Sequence, residues 1–188
     1  MANSDTPRGF RPVRHLTGGT IRQSTYPMAS AYNTNVFSGD VVALVSGGGV
    51  ALAAAGARFI GVFAGVNYTD AAGKKQYSKY WPANTVATDI EAQVYDDPNI
   101  VFGVQSAGST VAADVGELAD HVAGTGSTTT GQSAHELNGT TSTGAAGFRV
   151  LGKINEPDNA YGTNVNLEVQ PYQHELNEHI DADGTAGV

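Results

Sequence analysis

Phe59-Ile60-Gly61-Val62-Phe63-Ala64-Gly65-Val66-Asn67-Tyr68 decides the fold class. Ile60, Val62, Ala64 and Val66 fall on one side of an extended chain and Phe59, Gly61, Phe63 and Gly65 on the other, a period of two with both faces apolar. A strand with no wet face belongs inside a sandwich or barrel. On its N-terminal side, residues 41–45, the tight reversal of residues 46–49 and residues 50–53 read as a hairpin. On its C-terminal side a polar turn over 70–75 leads to a strand over 76–81, ended by Pro82. Ile90, Ala92 and Val94 alternate with polar neighbours, and the Asp96-Asp97-Pro98-Asn99 turn joins them to Ile100, Phe102 and Val104 as a second expected hairpin. Residues 148–154 and 165–169 close the β region, and residues 112–122 hold the one place for a short helix.

The ends and one internal stretch read differently. Residues 1–35 contain Pro7, Pro12, Pro27, Gly9, Gly18 and Gly19 without four consecutive apolar residues, the composition of an extended arm, mobile until it lies on a body or a neighbour. Such an arm is expected to be dispensable for folding. Residues 124–147 are nearly all Gly, Ser, Thr, Ala and small polar side chains, which predicts a long flexible surface loop. Residues 36–171 are then the β-rich body, and 172–188 an acidic tail.

Composition narrows the class further. The chain has 188 residues, enough for a sizeable core, and no cysteine, which excludes disulfides, thiolate metal sites and a cysteine nucleophile. Charged residues are 15%, and 24 glycines stand where average usage of about 7% gives about 13, a turn-rich β profile that excludes bundles and coiled coils. There is no apolar run of about 18 residues and no signal-peptide core, so a soluble, cytoplasmically made protein is expected, with no membrane partner. The net charge of −8 is polarised. Residues 1–22 carry Arg8, Arg11, Arg14 and Arg22 against Asp5, whereas residues 89–188 carry fifteen acids against Arg149 and Lys153. A basic head on an acidic body predicts head-to-body or head-to-partner contact and argues against a nucleic-acid binder.

Motifs of chemistry fall short of their requirements. Gly47-Gly48-Gly49 after a strand starts like a dinucleotide fingerprint, but Leu52 stands where the third glycine is needed. His174-Glu175-Leu176-Asn177-Glu178-His179 spaces its histidines by five, which a helix puts on different faces, so no metal site is read there. Asp181-Ala182-Asp183-Gly184 lacks the distal glutamate of a calcium loop. No Gly-x-Ser-x-Gly elbow occurs, since Gly108-Ser109 and Gly131-Gln132-Ser133 lack the strand-to-helix context. Catalytic, cofactor-binding and metal-ligating residues are therefore expected to be none. Tyr77, Tyr80 and Trp81, a cluster beside a strand, suit a core or an oligomer interface or, as a rival, a sugar-stacking face, and are taken first as an oligomer interface.

Gly9-Phe10-Arg11-Pro12-Val13-Arg14, Gly39-Asp40-Val41-Val42, Ile60-Gly61-Val62-Phe63, Asp96-Asp97-Pro98-Asn99, Phe102-Gly103-Val104-Gln105, Asp114-Val115-Gly116 and Gly131-Gln132-Ser133 together resemble the capsid decoration, or cement, proteins of tailed bacteriophages. The resemblance runs over residues 7–170 in short, turn-rich pieces, and the acidic tail after Pro171 departs from it. It implies a mainly β, non-enzymatic virion protein. Such a protein is made in the host cytoplasm, sits on the capsid exterior as trimers and holds neighbouring major capsid protein subunits together. On this reading Arg8, Phe10, Arg11, Arg14 and Arg22 contact the capsid or a neighbouring copy, and no cofactor is involved. The alternatives are a carbohydrate-binding module or adhesin-like protein of a phage tail or surface appendage, and a metal-dependent hydrolase.

Overall fold

A computed structural model describes residues 3–139 and 146–176. The chain is mainly β, with several antiparallel sheets, no closed barrel and a sandwich-like body. One sheet has five strands in the order Arg11–His15, Ile100–Gln105, Asn166–Pro171, Phe148–Lys153 and Leu118–Ala119. The other runs Ser24–Pro27, Thr88–Tyr95, Gly61–Thr69, Val41–Leu44 and Val50–Leu52, with Lys75–Ser78 also paired to Gly61–Thr69. Short two-stranded ribbons join Val36–Phe37 to Tyr80–Trp81 and His121–Val122 to Glu136–Leu137. Among the described residues the helical content is a single 3-10 turn, Ala112–Asp114, within the stretch expected to hold a short helix.

The central strand is buried on both faces, as its composition requires. Val62, with Val41 and Phe59, packs against Phe102, Phe148, Leu167 and Val169 of the five-stranded sheet. Phe63 and Val66 join Ile60, Val94 and Trp81 in a second cluster on the opposite side. The simple alternation is broken, however. Phe63 and Gly65 pair with the consecutive residues Val94 and Gln93, so Ala64 is the extra residue of a bulge. One inserted residue reverses the sidedness of all that follow, which puts Val66 with Phe63 instead of Val62.

The glycine-rich hairpin forms as expected, with Val42, Ala43 and Leu44 opposite Leu52, Ala51 and Val50. The second expected hairpin does not. Thr88–Tyr95 lies in the six-stranded sheet and Ile100–Gln105 in the five-stranded one, so the turn at Asp97 carries the chain from one layer to the other. Each of these strands takes as a partner a piece of the N-terminal segment: Ser24–Pro27 and Arg11–His15 respectively.

The N-terminal arm is therefore a correction. Within it Arg11–His15 and Ser24–Pro27 supply an edge strand to each sheet, and Phe10 is 1% exposed, stacked on Phe148 with ring centroids 4.5 Å apart. Phe148 in turn stacks on Phe59 at 4.6 Å. Further upstream, the Asn3 amide donates to the carbonyls of Ala160 and Thr163, while Gln105 accepts from Thr6 N–H and donates to Ser4 O. Edge strands bury one side at most, so their sequences carry little apolar signal. The single buried phenylalanine and these amide clips offset the ordering entropy of the segment.

Residues 124–139 are likewise folded into the body, against the expectation of a flexible loop. Leu137, His135 and Ser133 are buried, and Ser38 N–H bonds Gly131 O while Ser133 N–H bonds Ser38 O. The small residues act by permitting contact, since a Cβ at Gly124 would overlap the Ala134 carbonyl and one at Gly126 the Phe37 ring. Residues 140–145 of that stretch lie outside the described residues. So does most of the tail, including His179, Asp181 and Asp183, although His174 is buried and pairs as a bridge with Phe59.

Phe10→Ala is expected to lower the unfolding free energy by about 3–5 kcal/mol in urea titrations, because it removes a fully buried ring from one end of the Phe10–Phe148–Phe59 stack. Removal of residues 1–25 is expected to abolish cooperative unfolding, in contrast to the loss of a free arm. A truncated protein with unchanged stability would disprove the integral role of this segment.

Candidate functional site

The surface that carries the basic head is organised by a backbone crossing. Gly9 and Gly39, with φ of 68° and 104°, lie against each other, and a Cβ on Gly9 would stand 2.7 Å from Gly39 O and closer still to the Ser133 side chain. Phe10 N–H donates to Gly39 O at 2.9 Å, Gly39 N–H to Phe63 O at 2.8 Å and Phe63 N–H to Asp40 O at 2.8 Å. Only glycine meets both the positive φ and the lack of space at Gly9. The turn there sends Phe10 into the core and leaves Arg8 and Arg11 at the surface.

Arg8, Arg11 and Lys79 line one cavity of about 150 Å³, together with Tyr77, Tyr95 and Gln132. Its lining contains no carboxylate, and among the described residues none of the three cations is in an ion pair. Lys79 reaches the cavity from the bend between the Lys75–Ser78 and Tyr80–Trp81 strands, where its carbonyl and that of Gly131 both accept from Ser38 N–H. Unpaired cations facing one cavity attract an anionic group, and an arginine fork suits a carboxylate.

The other residues singled out from sequence divide. Arg14 is engaged on its own body, its guanidinium 2.8 Å from Glu168, which is the head-to-body contact that the charge distribution anticipates. Arg22 is exposed on the segment leading to the Ser24–Pro27 strand. Phe10 is a correction as a contact residue, because it is spent on the core. Trp81 is a second correction: it is fully buried in the second cluster, edge-on to Tyr68, and cannot form an oligomer interface or a sugar platform. Tyr80 is half-buried against Phe37, and Tyr77 alone of that trio is open, at 59% exposure. The Tyr77 hydroxyl lies over Gly65, where a Cβ would be 2.8 Å away.

Sequence reasoning missed a buried polar cluster beneath the crossing. Asp40, His121, Ser133 and His135 are each 2–3% exposed. One Asp40 oxygen accepts from Phe37 N–H at 2.7 Å; the other faces His135 Nε2 at 3.4 Å, an electrostatic contact too long for a good hydrogen bond. Val41 N–H points at His135 Nδ1, Ser133 Oγ accepts from His135 N–H, and the rings of His135 and His121 stack at 5.5 Å. The set contains serine, histidine and aspartate yet is no triad. Both imidazole nitrogens of His135 are directed elsewhere than the Ser133 hydroxyl, so the ring has no means of activating it. No group of three metal-ligating side chains occurs among the described residues. His135 in a Gly/Ser/Thr-rich stretch and His121 just before it give no periodic signal, and only the turn sequence Ser38-Gly39-Asp40 hinted at the site.

Protein-family models, curated proteins and solved structures offer no match to this chain.

Burial governs the protonation of the cluster. It pushes Asp40 up to about 6, partly opposed by the Phe37 N–H and the Ser133 hydroxyl, and pushes His135 down to about 4. His121 is lowered by burial and then by His135. The signs oppose each other. Asp40 binds its proton more tightly folded than unfolded, so its contribution is full at low pH and lost as pH rises through about 6. The histidines favour the folded state above their unfolded value of 6.5 and oppose it as pH falls toward 4. Asp40→Asn removes the compensating slope. Relative to the parent, the variant is expected to lose about 1 kcal/mol of stability on going from pH 7 to pH 5, read from urea midpoints across that range. A pH-independent difference would contradict the assignment.

Proposed function

We propose that this chain is a structural virion protein that attaches to the outside of a tailed-phage capsid, bridges neighbouring major capsid protein subunits as a trimer, and performs no reaction. The resemblance of seven short segments to decoration proteins carries this reading. What supports it in the structure is where those segments meet. Gly9-Phe10-Arg11, Gly39-Asp40, Phe63 and Gly131-Gln132-Ser133 are joined by backbone hydrogen bonds or direct contact at the crossing, and Arg11 pairs with Gly103. The segments that carry the resemblance thus build the platform that presents Arg8 and Arg11.

Rigid presentation favours adhesion. Cations on an ordered strand lose little entropy on binding, and in a lattice each weak contact is reinforced by its many symmetric copies. Attachment through Arg8 and Arg11 to carboxylates of the capsid is then sensitive to salt. The rival sugar-binding face has lost Trp81 to the core and Tyr80 to Phe37.

Arg11→Glu is expected to reduce occupancy on purified shells by about tenfold at low salt, with a smaller difference at high salt. Occupancy is read by quantitative gel and by electron density outside the shell. Virions of the source phage that lack the protein altogether would overturn the reading.

A further inference from the structure

The cavity that holds Arg8, Arg11 and Lys79 shares walls with two larger clefts. On one side Arg8 and Arg11 also wall a polar cleft of about 260 Å³, which includes Gln105 and Glu156 and shares Glu156 with a further cleft of about 360 Å³ that includes Asp158. On the other side Tyr77 also walls a cleft of about 420 Å³, which includes Lys75, Asp89 and Glu91. The row therefore has a fixed charge order: Glu156 and Asp158 at one end, three cations that form no ion pair among the described residues between, and two acids against one lysine at the far end. Residues of both sheets contribute to it, so its shape is set by the sandwich itself and not by a single loop.

We propose that this row of clefts receives an extended segment of a partner protein whose middle carries carboxylates and whose ends are neutral or basic. The inference deepens the attachment proposed above by naming the chemistry of the contact, and rests on that reading only for the identity of the partner. Arginine forks at the centre pair with carboxylates, the open Tyr77 ring covers the aliphatic part of the segment, and Glu156, Asp89 and Glu91 select against acidic ends. A single-stranded nucleic acid fits less well. It bears a charge at every nucleotide, so its phosphates would lie against the acids at both ends, on a chain whose net charge is already −8.

The test uses the full chain, isotopically labelled, and three probes followed by NMR: a peptide of sequence Lys-Ser-Gly-Glu-Asp-Glu-Gly-Ser-Lys, a rearranged peptide of the same composition with its acids at the ends, and oligothymidylate. The first peptide is expected to shift the signals of Arg8, Arg11, Tyr77 and Lys79, and to bind about tenfold more tightly than the other two. Arg8→Gln combined with Arg11→Gln should abolish those shifts while the remaining spectrum stays that of the folded parent, both side chains being exposed. No shifts at these residues, equal binding of the rearranged peptide, or tighter binding of oligothymidylate would each overturn the inference. The two readings fail separately. Shells decorated equally by the parent and by the double variant would end the role of the groove and leave capsid attachment standing. Peptide binding by a protein absent from virions would do the reverse.

Discussion

The contact between the Gly9 and Gly39 backbones is the constraint on which the rest depends. It requires two glycines, one on the N-terminal segment and one at the start of the Val41–Leu44 strand, and it is held by hydrogen bonds from Phe10 to Gly39 and from Gly39 to Phe63. Because the backbones touch, Phe10 enters the core between the sheets and its neighbours Arg8 and Arg11 are turned outward. The same contact brings Ser133 and His135 against Asp40, which ties the Gly/Ser/Thr-rich stretch to the body. One close approach thereby couples core packing, a buried polar cluster and the charged surface.

Burying that polar cluster is costly, and the molecule manages the cost with proton placement. A carboxylate and two imidazoles in an apolar interior are each driven toward the neutral form. Their opposing titrations make the loss of stability on acidification smaller than the histidines alone would cause. The cluster lies beneath the Gly9–Gly39 crossing that turns Arg8 and Arg11 outward, so buried polar groups and surface cations are organised by the same contact. Two kinds of polar group are separated by depth: titratable groups driven toward their neutral forms inside, and outside them cations that form no ion pair among the described residues.

How much was legible depends on what each element buries. The 59–68 stretch could be read because both of its faces are apolar, and the 41–53 hairpin because glycine-rich turns punctuate two short apolar runs. The Ala64 bulge could not, since an extra residue leaves no compositional trace and only the pairing to Val94 and Gln93 reveals it. The edge strands Arg11–His15 and Ser24–Pro27 looked like a free arm because half-exposed strands with prolines resemble a coil. Trp81 illustrates the opposite error. An aromatic cluster beside a strand is equally at home in a core or an interface, and its neighbours Ile60, Phe63 and Val94 decide between them. At the candidate site, Arg8 and Arg11 were legible as a basic head, whereas Lys79 and Tyr77 joined them only through the fold.

The sequence by itself determined a β-rich chain with polarised charge, because alternation, glycine content and charge counts are local quantities that need no partner strand. The tertiary structure alone decided that residues 90–95 and 100–105 part into different sheets, that the N-terminal segment edges both, and that the Gly/Ser/Thr-rich stretch is packed. These outcomes rest on contacts between residues far apart in the chain, where the absence of a side chain at Gly9, Gly124 or Gly126 matters as much as any side chain present. Such contacts set which backbone can approach which, and that information resides in pairs of positions instead of in either one.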